Sequence, residues 1–174
     1  MSENEKATGV RQSPVMERLD DIDRRIAGFM RVRGTPTLRY SLAVIFILFG
    51  ILKPLGLSPA EPLVRATTAW MPLLGGDAWV QLVGWLEVAI GATFLFRRTI
   101  RIGVALLALQ MVGTFLPLVV LPDVVFQAGR APYAPTMEGQ YIIKNLLIIS
   151  AALVVGGTVR REEGGGSETR DEGG

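Results

Sequence analysis

Three charged side chains stand inside long apolar runs of this sequence: Lys53, Glu87 and Lys144. Glu87 lies in the stretch VGWLEVAIG, Val83 to Gly91, and the chain stays apolar on either side of it. A carboxylate can accept and release protons, and an ammonium offers three N–H donors to a polar head group or to the carboxylate itself. Left uncompensated at the middle of a bilayer, such a charge costs at least about 2.5 to 3.5 kcal/mol, so Glu87 is expected to pair with Lys53 or Lys144. Gln110, Tyr141 and Asn145 add uncharged hydrogen-bonding groups within the same apolar segments. Two chemistries fit this set. The six residues can form a site that binds a polar ligand or moves protons, the excess of lysine over carboxylate leaving a positive remainder for a quinone oxygen or an anionic group. They can equally form an ion-paired lock between helices, because breaking one partner of a buried pair costs about 3 to 5 kcal/mol. Neither reading assigns a catalytic residue.

Positioning these residues falls to four segments that reach the roughly 20 residues needed to cross hydrocarbon. They are Tyr40–Leu57, Ala78–Phe96, Ile102–Leu121 and Tyr141–Val159. Almost nothing within them supplies the polar face that a helix of a soluble bundle needs. The expected fold is therefore all-α, a four-helix transmembrane bundle. At 1.5 Å per residue, Glu87 sits about 13 Å from the outer end of the second span. Lys53 and Lys144 lie near the outer ends of the first and fourth spans, and a lysine side chain reaches roughly 6 Å, inward to the level of Glu87 or outward to the interface. Spacings of three and four put Gly84, Glu87 and Gly91 on one face, a small-residue stripe open to close approach by a neighbouring helix. Gly50 shares a face with Lys53, while Gly103, Gln110 and Gly113 or Thr114 share another, and Tyr141, Lys144 and Asn145 form a polar edge. The expected helix-packing positions are thus Gly50, Gly84, Gly91, Gly103 and Gly113.

Composition agrees with a membrane class: 49% of the 174 residues are hydrophobic and the mean hydropathy is +0.38. Cysteine and histidine are both absent, which removes thiol chemistry, disulfide exchange and histidine-ligated haem or zinc, and no metal site is expected. Of 18 lysines and arginines, eight precede the first span, Arg97, Arg98 and Arg101 separate the second from the third, and Arg160, Arg161 and Arg170 follow the fourth. Only Arg65 and Arg130 fall in the opposite loops. The positive-inside rule then puts both termini in the cytoplasm, with the protein in the cell membrane. The first thirty residues are charged and lack an apolar h-region, so the first span is expected to act as the insertion signal.

Three regions are expected: a cytoplasmic segment 1–38, the membrane domain 39–160, and a disordered cytoplasmic tail 161–174, glycine-rich and charged. The first region carries an amphipathic helix with Ser13 as cap, Pro14 in its first turn and Gly34 as its stop. Its apolar residues Val15, Leu19, Ile22, Ile26 and Phe29 alternate spacings of four and three, and Arg18, Arg24, Arg25 and Arg31 surround them. Such a helix suits an anionic leaflet, a partner, or a second copy of the chain. In the first outer loop Ser58 and Pro59 open a short interfacial helix bearing Leu63, Thr67, Trp70 and Leu74. The last outer loop, with an apolar patch at Val124 to Phe126, reads as a partly ordered cap over the bundle.

The segments RYSLAVIFILFGILKP, GWLEVAIGATFLF and GQYIIKNLLIISAALVV resemble the signature segments of the DoxX-like membrane protein superfamily, and within it the RclC/YkgB-like inner-membrane proteins. The resemblance covers roughly Arg39 to Arg160. It matches Gly50 with Lys53, Gly84 with Glu87 and Gly91, and Lys144 with Asn145. It implies a four-helix bundle with a part in oxidative or reactive-chlorine stress defence or, in another branch, in quinone-connected sulfur oxidation. This chain departs from the RclC-like pattern in its shorter first outer loop and in its added cytoplasmic helix. The resulting expectation is a non-enzymatic stress-defence component that binds a lipid, quinone or partner through the Lys/Glu/Lys cluster. The alternatives are a membrane subunit of a quinone-linked oxidoreductase and, ranked lower, a small proton-coupled transporter. Quinone is the one cofactor suggested. The expected partners are the lipid bilayer and a membrane redox partner or homo-oligomer, and nucleic acid is not among them.

Overall fold

The computed structural model describes residues 14–165. It divides into two compact units, one ending at Thr35 and the other beginning at Pro36. Each is helical. Helix α1 is assigned over Pro14–Leu52, running through Gly34 and Pro36. The expected stop at Gly34 is not used: the glycines with positive φ among the described residues are Gly56 and Gly129. Gly34 keeps a helical backbone, and Pro36 lies inside the assigned helix although proline removes one bond of the ladder. The expected cap Ser13 lies outside the described residues.

Helix α1 ends five residues before the expected boundary at Leu57 because the chain there makes a Schellman turn. Gly56 takes φ 69°, its N–H donates to the Lys53 carbonyl at 3.1 Å, and the Leu57 N–H donates to the Leu52 carbonyl at 2.9 Å. Only glycine adopts that backbone without a Cβ penalty. Helix α2 covers Glu61–Thr68, with Pro62 in its first turn. It starts later than Ser58 and Pro59 suggested, because Ser58 caps a tighter turn, its Oγ accepting from the Ala60 N–H at 3.3 Å. Trp70 and Leu74 therefore fall beyond the helix.

Helix α3 spans Gly76–Leu95, and a 3-10 turn at Arg97–Thr99 leads into α4, Ile100–Phe115. The third span is interrupted at Leu116, ahead of Pro117, whose missing N–H and bulky ring disturb the last turn. Two short helices follow, α5 at Pro117–Val120 and α6 at Pro122–Val125. Helix α7 runs over Met137–Gly165. Thr136 caps it, its Oγ1 accepting from the Gly139 N–H at 3.3 Å. Its length corrects the expected tail: residues 161–165 are helical, since extending an established helix adds one bond per residue fixed. Residues 166–174 lie outside the described part.

Within the second unit the core joins Leu42 and Phe46 of α1, Ile90 and Phe94 of α3, Ile100 and Leu107 of α4, and Ala152 and Val155 of α7. The outward faces are as apolar as the core, with Leu48, Leu82, Trp85, Leu109, Val112, Leu147 and Leu153 exposed. Helices apolar all round belong in lipid, and among the described residues four are long and apolar enough to cross a membrane: Arg18–Leu52, Gly76–Leu95, Arg97–Val120 and Met137–Thr158. The fold is an all-α four-helix bundle of the membrane-spanning type. A second cluster, Val125, Phe126 and Ile142 with Leu63 and Phe115 against it, anchors the loop before α7. An isolated bridge between Phe126 and Pro135 holds that loop closed.

Close contact of α1 and α3 organises the bundle. A Cβ placed on Gly50 would lie 2.8 Å from the Val88 nitrogen, and one on Gly91 would lie 2.8 Å from the Ala43 carbonyl oxygen and 2.9 Å from the Ile47 nitrogen. These are backbone atoms, which cannot yield without separating the helices. Gly103 of α4 meets Thr93 of α3 as closely. Gly113 does not fit this pattern: nothing lies within 4 Å of its missing Cβ, because its face of α4 points away from the neighbouring helices. Gly91→Val is therefore expected to lower stability by about 1 to 3 kcal/mol through overpacking. Gly113→Ala should change it by less than about 1 kcal/mol, and thermal unfolding in mild detergent distinguishes the two.

Candidate functional site

The Schellman turn leaves Lys53 at the end of α1, directly beside α3. A Cβ on Gly84 would lie 2.8 Å from both the Lys53 Cβ and the Pro54 Cδ. Glu87 follows Gly84 by three residues on the same face of α3, so the ammonium and the carboxylate meet across the glycine contact. Lys53 Nζ donates to Glu87 Oε2 at 2.5 Å. From α4, Gln110 Nε2 donates to Glu87 Oε1 at 3.2 Å. Exposure is 6% for the Lys53 side chain, 14% for that of Glu87 and 7% for Gln110. One carboxylate thus ties three helices together. A buried charge must be paired and hydrogen-bonded to be tolerated, and both oxygens of Glu87 have a partner.

The polar edge of α7 is not part of this cluster. Lys144 is exposed and its Nζ sits 5.5 Å from the centroid of the Tyr141 ring. Tyr141 is 64% exposed. The Asn145 Nδ2 donates to the Tyr141 carbonyl at 2.9 Å, a bond within its own helix. Of the six polar residues singled out in the sequence, Lys53, Glu87 and Gln110 come together, whereas Tyr141, Lys144 and Asn145 form a separate patch. The expected positive remainder is accordingly absent from the buried set, which holds one cation and one anion.

Arg65, in the connection between the first two spans, has a structural role beside the cluster. Its Nε and Nη2 donate to Glu61 Oε1 at 3.0 and 2.5 Å, and its Nη1 contacts Asp77 in the first turn of α3. Hydrogen bonds to Glu61, and then to Asp77, raise the Arg65 pKa above its ordinary value, so the guanidinium stays charged. The Glu61 partner was readable as an i,i+4 pair. The Asp77 contact depends on how α2 folds back on α3.

Between these groups lies an open recess of about 260 Å³. Lys53, Pro54 and Val80 line it, with Glu61, Arg65 and Asp77 also on its wall. Its size suits a head group rather than a whole amphiphile. Among the described residues, no group of three or more acidic, histidine or cysteine side chains is arranged to hold a metal ion. Comparison of the chain with protein-family models, curated proteins and solved structures gives no match.

The Lys53–Glu87 pair predicts a specific double-mutant cycle. Lys53→Met strands the carboxylate and should cost about 3 to 5 kcal/mol, while adding Glu87→Leu should recover most of that loss. Thermal unfolding of the two single variants and the double variant in detergent reads the coupling. Additive effects would mean that the two side chains do not interact.

Proposed function

We propose that this is a DoxX-like inner-membrane protein that takes part, without catalysis of its own, in oxidative or reactive-chlorine stress defence. In this reading it holds a quinone-type head group in the recess at Lys53, whose ammonium is held in place by Glu87. Both termini face the cytoplasm, and the recess opens toward the outer leaflet. The observation that supports the ligand site is the position of Lys53, which belongs to the buried ion pair and also lines the recess. An ammonium has three donors, and Glu87 Oε2 engages one of them.

The chemistry favours a neutral, carbonyl-bearing ligand over an anion. With Lys144 outside the cluster, Lys53 is already balanced by Glu87, and Arg65 on the recess wall is balanced by Glu61 and Asp77. An anionic head group would meet more carboxylate than uncompensated cation. A quinone oxygen needs only a donor, and the apolar flanks of α1 and α3 suit an isoprenoid tail. The glycine contact that joins the first two matched motifs also supports the DoxX-like reading, although Lys144 and Asn145 of the third motif lie apart from it.

Native mass spectrometry of the gently extracted wild type and of Glu87→Gln tests the proposal. The glutamine keeps the side-chain shape but removes the charge that holds Lys53. The expected outcome is a quinone retained by the wild type and released by a variant that still unfolds cooperatively. Equal retention by both, or none by either, would leave the cluster as a helix lock and overturn the binding role.

A further inference from the structure

The first unit carries an apolar stripe that none of its described residues covers. Val15, Leu19, Ile22, Ile26 and Phe29 are all more than half exposed. Their spacings of four, three, four and three average 3.5 residues, the repeat of a two-stranded coiled-coil seam. At 3.6 residues per turn the five occupy an arc of roughly 80°, with Met16 and Met30 exposed along one side of it. We propose that residues 14–33 of two copies of this chain associate through this stripe as a short parallel coiled coil.

Charge identifies the occupant. With Leu19 and Ile26 at a and Val15, Ile22 and Phe29 at d, Arg18 falls at g and Asp23 at e. In a parallel pair the g position of one helix faces the following e position of the other. Arg18 of each copy then meets Asp23 of the second copy, once on each side of the seam. An antiparallel pair would instead set Arg18 against Arg25 of the other helix, like charge against like. A bilayer surface is a poorer match than a second copy. Five arginines between Pro14 and Arg33 are offset by Glu17, Asp20, Asp21 and Asp23, so little net charge remains to draw the helix to anionic lipid.

The seam is short, about 20 Å from Val15 to Phe29 at 1.5 Å per residue. Such a length associates weakly between free peptides, but copies held in one membrane meet at high effective concentration. They also share one orientation there, which favours the parallel arrangement that the charges select.

The absence of cysteine from the chain makes the test direct. Full-length Leu19→Cys, Ile22→Cys and Arg24→Cys variants are oxidised in native membranes and resolved by non-reducing electrophoresis. Covalent dimer is expected at positions 19 and 22 and is expected to be scarce at 24, which lies opposite the seam. Asp23→Arg added to Leu19→Cys should cut the dimer about fivefold, the scale of two ion pairs turned repulsive, and further addition of Arg18→Asp should restore it. Equal cross-linking at 19 and 24, no cross-linking at any position, or failure of the charge swap to rescue would each overturn the proposal.

Discussion

Close approach of α1 and α3 along Gly50, Gly84 and Gly91 governs what the rest of the bundle can do. Between helices in lipid there is little hydrophobic drive to associate, so packing and polar contacts must supply it. The glycines let backbone meet backbone, with the Gly84 carbonyl oxygen 2.9 Å from where a Gly50 Cβ would stand. That contact also delivers the charges. It brings the Lys53 Cβ against Gly84, one turn from Glu87, and leaves the ammonium no longer route to a partner. Removing the glycine stripe would therefore loosen the packing and part the ion pair at once.

A second constraint is that a buried carboxylate must be neutralised where it stands. Lys53 does this from the end of α1, and Gln110 completes the shell from α4. Because α4 reaches Glu87 through the Gly103–Thr93 contact, the third helix is placed by the same small-residue logic as the first two. Lys144 sits outside this economy of charges because its position on α7 allows the ammonium to remain exposed over Tyr141. Stability and binding are not exclusive roles for Lys53, since an ammonium that saturates one carboxylate oxygen keeps further donors for a ligand.

The membrane class, the number of spans and the glycine stripe on α3 could be read directly from residue types and helical spacing. So could the pairing of Glu87 with a lysine, because the energetic penalty for leaving it alone is large. Which lysine was not readable: Lys53 and Lys144 lie at similar depths, and only the identity of the helix touching the Glu87 face decides between them. Gly113 shows the same limit, since spacing gives a face but not what that face meets. Helix ends were misplaced for local reasons. Gly34 looked like a stop but keeps helical geometry, whereas Gly56, inside the expected first span, takes the left-handed conformation that ends α1. The Asp77 contact of Arg65 could not be read because it joins elements across a turn.

The recess has a floor and a rim of different mechanical character. Its floor contains Lys53, held by a nearly buried pair that salt does not easily screen. Its rim is made by Arg65 with Glu61 and Asp77, and the side chains of Arg65 and Asp77 are 42% and 82% exposed. Exposed pairs of this kind are weak and sensitive to ionic strength. Helix α2 is thus fastened over the recess on one side by replaceable contacts and on the other by Leu63 against the buried Val125 and Phe126 cluster. The two fastenings differ in kind: the polar one is screened by salt, whereas the apolar one rests on side chains removed from water.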